Sequence, residues 1–151
     1  MKKKLMIWNT AIVALALALM LGLGIFVTRS DRYEMTEEKI REITEIYAAT
    51  FDPSDIRFSE DDAIRVTVLD NAGQVLADSD AVDPAEMENH SQREEILAAF
   101  AGTPKTVTRT SETTGRKMMY YAERVEVDGI SYYIRVAIPV ASVSSYVVKS
   151  S

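Results

Sequence analysis

From Leu5 to Thr28 the chain runs 24 residues without a charged side chain, and no other feature restricts its fold as strongly. As a helix, at about 1.5 Å per residue, that run is roughly 36 Å long, enough to cross the hydrocarbon of a bilayer. The preceding "MKKK" would also suit a secretory signal peptide. The run, however, ends in Val27-Thr28-Arg29 and lacks the spaced small residues of a cleavage site. The sequence therefore predicts an uncleaved anchor. Lys2, Lys3 and Lys4 lie on one side of it, and a mixture of Arg29, Asp31, Arg32 and Glu34 on the other. The positive-inside rule then places the tail, residues 1–4, in the cytoplasm, the span at 5–28, and the remainder outside the cell membrane.

Charge and composition narrow what that remainder can do. All 23 acidic residues but only 14 of the 17 basic ones follow Thr28, which leaves the soluble part at −9. Such a surface repels nucleic acid and anionic lipid. There is no cysteine, so disulfides, thiolate chemistry and cysteine-type zinc sites are excluded. A nucleophile and base pair would have to combine the single histidine, His90, with a serine such as Ser79 or Ser91, and no spacing joins them. Nothing in the sequence asks for a cofactor or a metal.

After the span, "DRYEMTEEKIREITEIYAATFDP" predicts a helix that continues from the membrane segment and stops before Pro53. Its stripe of Thr36, Ile40, Ile43, Tyr47 and Thr50 or Phe51 has to pack on a sheet of the same chain or on a second copy. Alternation in Ile64, Val66 and Val68, turn chemistry at Asp70 to Gly73, and the return "QVLADS" predict a hairpin. An acidic loop holding His90 follows. Ser91 and Glu94 have the spacing of a capping box for a short helix carrying Ile96, Leu97 and Phe100, with Gly102 at its end. Three more strands are expected in "KTVTRTSE", "RKMMYYAERVEV" and "ISYYIRVAIPV", joined at "TTG" and at Asp128-Gly129. The order predicts an α+β domain with a five-stranded antiparallel sheet.

The runs "VLDNAGQVLADS", "MENH" and "RVAIPV" resemble the extracytoplasmic sensor region of bacterial two-component histidine kinases, in particular the phosphate-regulon and cell-wall-stress type. The resemblance implies a PAS-like domain of the PDC or single-Cache kind over residues 29–147, with 148–151 as a truncated end. It also implies a kinase core that this chain lacks, so that no enzymatic activity is expected of the chain itself. A cognate response regulator would be reached only through that missing part. The alternative is a membrane-tethered interaction or adaptor domain without a kinase.

Several residues are candidates for a role. Ala14, Ala18 and Gly22 recur on one face of the span, as in close-packed helix pairs, although the same spacing suits a plain Ala/Leu-rich anchor. With Ile40, Ile43 and Tyr47 they form a candidate surface for homodimerisation and transmission. A pocket in a PAS-like domain would lie between the sheet and the second helix, where strand parity points to Arg109, Tyr120, Tyr133 and Arg135. An arginine there would either grip an extracytoplasmic ligand's carboxylate or phosphate, or pair across strands, with Glu123 as the expected partner. The acidic run "DSDAVDPAEMENH" reads as a solvated connector and not as a calcium loop. His90 is a candidate pH switch, or a neutral hydrogen-bonding side chain.

Overall fold

A computed structural model describes residues 2–112 and 114–140. The chain divides into two compact units, Met1–Met35 and the part from Thr36 onward. The first helix, α1 (Lys2–Ala49), contains the apolar run and continues into the second unit. It is the one helix among the described residues that is long and apolar enough to cross a membrane. Its large apolar side chains from Leu5 to Val27 are exposed around the helix, and the hydroxyls of Thr10 and Thr28 donate to the carbonyls of Met6 and Gly24. Side-chain donors satisfied within the helix suit a hydrocarbon environment. Ala14, Ala18 and Gly22 are exposed, with open space beside Gly22.

The second unit is built on strands β1 (Arg65–Leu69), β2 (Val75–Asp78), β3 (Val107–Thr110), β4 (Lys117–Val127) and β5 (Ile130–Pro139), in the spatial order β2-β1-β5-β4-β3. Every neighbouring pair is antiparallel. The expected five-stranded α+β fold is thus present. The central strand β5 is buried continuously from Tyr133 to Ile138 because both sheet faces are covered. On one face, Leu69, Val75, Ala122 and Tyr133 pack against Ile96 and Ala99 of α2 (Glu94–Phe100), and Phe100 meets Tyr133 edge-on at 4.6 Å. On the other lie Val66, Val68, Ile134 and Val136, toward the end of α1, where Phe51 tilts against Tyr132 at 5.2 Å. The expected end of the domain up to residue 147, and the tail 148–151, lie outside the described residues.

The stripe on α1 is shifted from the expected one. Thr36, Ile40 and Thr44 are buried, while Ile43 and Tyr47 are only half-buried. Thr44 fits a buried position because its hydroxyl donates to the Ile40 carbonyl at 2.7 Å. Ile40 is fully enclosed by its own domain, which removes it from any surface offered to a second copy. Tyr47 accepts a hydrogen bond from the Ser59 amide at 2.7 Å. The outward face of this part of α1 carries Glu38, Glu42 and Ile46 instead.

The helix α2 also departs from expectation at its start. Arg93 occupies the N-cap without a side-chain hydrogen bond, so Ser91 and Glu94 form no capping box. Another device fixes the segment. The Asp70 carboxylate accepts from the amides of Ala72 and Gln74, which shapes the hairpin tip. The Gly73 carbonyl then accepts from the His90 amide at 2.8 Å, and Asn89 donates to the Ala72 carbonyl at 3.0 Å. At the other end, Gly102 (φ +73°) and the bonds Gly102 to Ala99 and Thr103 to Ala98 close a Schellman motif. Leu97 proves 46% exposed, since inward positions of so short a helix go to Glu95, Ile96, Ala98 and Ala99. The turn at Asp128-Gly129 has positive φ at both residues, as a two-residue hairpin requires.

Gly73 combines a φ of +80° with backbone contact to Ser91, where an added Cβ would lie 2.6 Å from the amide nitrogen. Replacing it with alanine is expected to cost about 1–3 kcal/mol, the range for forced left-handed backbone, with more if the clasp separates. Urea unfolding of Gly73→Ala against the parent chain in non-ionic detergent measures this, and an unchanged midpoint would contradict it.

Candidate functional site

A cleft of about 530 Å³ opens between the α2 face of the sheet and the loop before α2. Its volume lies within the range of small-ligand sites. Arg109, Tyr120 and Arg135, three of the four residues expected from strand parity, line it, and so does His90. Tyr133 does not: it is 6% exposed and lies in the apolar core against Phe100. Tyr133 points to the same face as Arg135, but two residues along β5 is far enough to move it from cleft to core.

The organising group is Glu95, whose side chain is fully buried. Arg109 reaches it from β3 with two parallel bonds of 2.8 and 2.9 Å, and Arg135 reaches it from β5 at 2.8 Å. Both guanidinium groups also lie against the Tyr120 ring, at 3.8 and 4.7 Å from its centroid. The aromatic face gives the two like charges a shared negative surface. Burial alone would raise the Glu95 carboxyl, but the two arginines outweigh it and bring it down to about 2. The expected partnership of Arg135 with Glu123 does not occur. Glu123 stands opposite Ile134 in the register, so it faces the other side of the sheet.

A second ion pair closes the cleft at its β1 end. Arg65 holds Asp78 at 3.1 Å, and the Thr67 hydroxyl donates to the same carboxylate at 2.7 Å. Burial works against the Asp78 charge, yet those donors and the Asp80 amide hold it below the ordinary value. Asp83 accepts from the Ala85 amide and so caps a one-turn 3₁₀ helix, Pro84–Glu86. Each of these acids is turned to its own partner, and among the described residues no three His, Asp or Glu side chains gather to hold a metal.

His90 is 7% exposed, with Nδ1 donating to the Glu88 carbonyl at 2.6 Å. Burial lowers its pKa, and Arg135, Arg93 and Arg65 lower it further. The neutral ring is therefore the resident form at pH 7. Because the unfolded chain binds that proton more readily, His90 favours the fold above about pH 6.5, and this contribution falls as pH drops toward the lowered native value.

The sequence matches the single Cache-like family over residues 56–139. The chain belongs to that family. Comparison with curated proteins finds no match. The Cache-like domain is a sensor type, and its matched region includes every strand, α2 and the whole lining of the cleft. The sequence alone does not single out Glu95. Its one signal was a second acid beside Glu94 at the inward position of a helix whose neighbours are apolar.

Glu95→Gln in the Cache-like domain leaves the buried Arg135 and the half-buried Arg109 without their counter-charge, and is expected to cost about 3–5 kcal/mol, chiefly through Arg135. Wild-type stability should also decline as pH falls through about 4.5 toward 2, since the unfolded carboxyl takes up its proton first. Urea unfolding of the detergent-solubilised chain across this range measures both effects. A glutamine variant as stable as the parent would show that the triad does not hold α2 to the sheet.

Proposed function

We propose that this chain is the extracytoplasmic signal-sensing module of a membrane-bound two-component histidine kinase. The observation that carries the reading is the Cache-like sensor domain following, within one helix, an apolar run long enough to span a bilayer. In this reading the amino terminus is cytoplasmic, the domain lies outside, and α1 transmits the stimulus. The kinase core and its response regulator belong to a longer protein, of the phosphate-regulon or cell-wall-stress type that the sequence resembles. A homodimer through α1 would meet through the small-residue face of the span and the outward face near Ile46.

The stimulus acts by favouring one arrangement of the domain over another, which requires that it bind the two with different affinity. A small polar ligand would enter the cleft from the side lined by Arg93 and Arg116, which have no ion-pair partner among the described residues. Arg109 and Arg135 are held by Glu95 and would position α2 more than recognise a ligand. The same fold would serve a tethered adaptor that docks another membrane protein.

The gene beyond codon 151 separates these readings. A second apolar span followed by a histidine-bearing helix and an ATP-binding region is expected, while an immediate stop would favour the tether. Topology has its own check: alkaline phosphatase fused after Pro139 should be active in cells, and inactivity would place the domain on the wrong side.

A further inference from the structure

The face of the sheet turned away from the cleft holds a titratable cluster that the sensor reading does not use. On α1, Glu37, Arg41 and Glu45 succeed one another at four-residue intervals. Arg41 donates to Glu37 at 2.9 Å and sits 5.1 Å from the Tyr121 ring centroid on β4. Two residues along β4, Glu123 points to the same side, half-buried, with Glu45 and Arg41 as its charged neighbours. Among the described residues, its Oε2 is the one buried side-chain oxygen or nitrogen without a hydrogen-bond partner. The charges facing one another across this seam are three carboxylates and one guanidinium, which is already bonded to Glu37. Tyr121 adds a buried hydroxyl that stays protonated, since burial first and then Glu123 push its pKa up.

An orphaned carboxylate oxygen in such a place has a specific meaning. As an anion, Glu123 is desolvated and repelled by Glu45, no donor reaches its buried Oε2, and the Arg41 charge offsets these costs only in part. As an acid it loses the repulsion and most of the desolvation cost. Burial is the larger cause and Glu45 the second, and together they raise its pKa above 4.5 despite Arg41. Proton uptake by Glu123 therefore tightens the seam between α1 and the sheet, and proton release loosens it. His90 responds to acid with the opposite sign, but it lies on the cleft face.

We propose that Glu123, with Glu45 and Arg41, is a proton-operated latch between α1 and β4, firm when Glu123 is protonated and relaxed when it is ionised. Its signalling role rests on the reading of α1 as the transmission helix, whereas the latch itself does not. If that reading holds, the acidity outside the membrane sets how firmly the sensor domain grips the helix that leaves it.

Hydrogen exchange of the amides in 36–49 tests the latch in the full chain in non-ionic detergent, corrected for intrinsic rates, from pH 4, below the ordinary carboxyl value of 4.5, to pH 8. Protection is expected to increase on acidification, because the raised pKa of Glu123 makes the folded seam take up its proton before the open one does. Glu123→Gln should be protected at every pH and should abolish the difference. Glu45→Gln should shift the wild-type profile to lower pH, because it removes the repulsion and keeps the burial. An unchanged profile in Glu123→Gln, or protection independent of pH in the parent, overturns the latch. A pH-dependent latch in a chain whose phosphatase fusion is inactive would keep the latch and reject the extracytoplasmic sensor, so the two failures are distinct.

Discussion

The buried carboxylate of Glu95 is the constraint on which the sensor unit depends. It is the one group of α2 that reaches both β3 and β5, and the two guanidinium groups that meet it come from strands separated by β4. A seven-residue helix has little stability of its own. Its position follows from the ion triad on one side and the apolar patch of Ile96 and Ala99 on the other. An ion pair of this kind adds less net stability than its geometry suggests, because three charges must first leave water. Its value lies in direction, since only one placement of α2 satisfies all three groups.

That placement defines the cleft. With Arg109 and Arg135 sharing the one carboxylate of Glu95, the floor stays net positive although both guanidinium groups are engaged, and the uncommitted charges stand at the rim. The clasp of Gly73 with His90 and Ser91 fixes the other wall. Two independent devices, one ionic and one built from backbone hydrogen bonds, therefore hold the loop that walls the site and the short helix that follows it.

Much of the architecture was legible in the sequence because it rests on local rules. Alternation at Val66 and Val68, the Asp128-Gly129 turn and Gly102 each act through backbone geometry within a few residues. The errors lie where distant partners decide. Ser91 and Glu94 have capping-box spacing, yet the segment is held by Gly73, eighteen residues earlier. Cross-strand pairing offers Glu123 as one partner for Arg135, but a one-residue step in the register puts them on opposite faces and leaves Arg135 to a helix forty residues away. The stripe on α1 shifted from Ile43 and Tyr47 toward Thr44 because a threonine that bonds its own helix can be buried as readily as an isoleucine.

The sheet has one further property that follows from unequal strand lengths. β3 pairs with β4 from Lys117 to Tyr120, so among the described residues the remainder of β4, to Val127, has a ladder partner only in β5. An open edge of that length would invite another copy to add a strand, a hazard for domains crowded on a membrane surface. The exposed side chains along it are Arg124 and Glu126, which bond to each other at 3.1 Å. Charges of both signs on a bare edge penalise an incoming neutral strand, so self-association is steered away from fibre-like stacking.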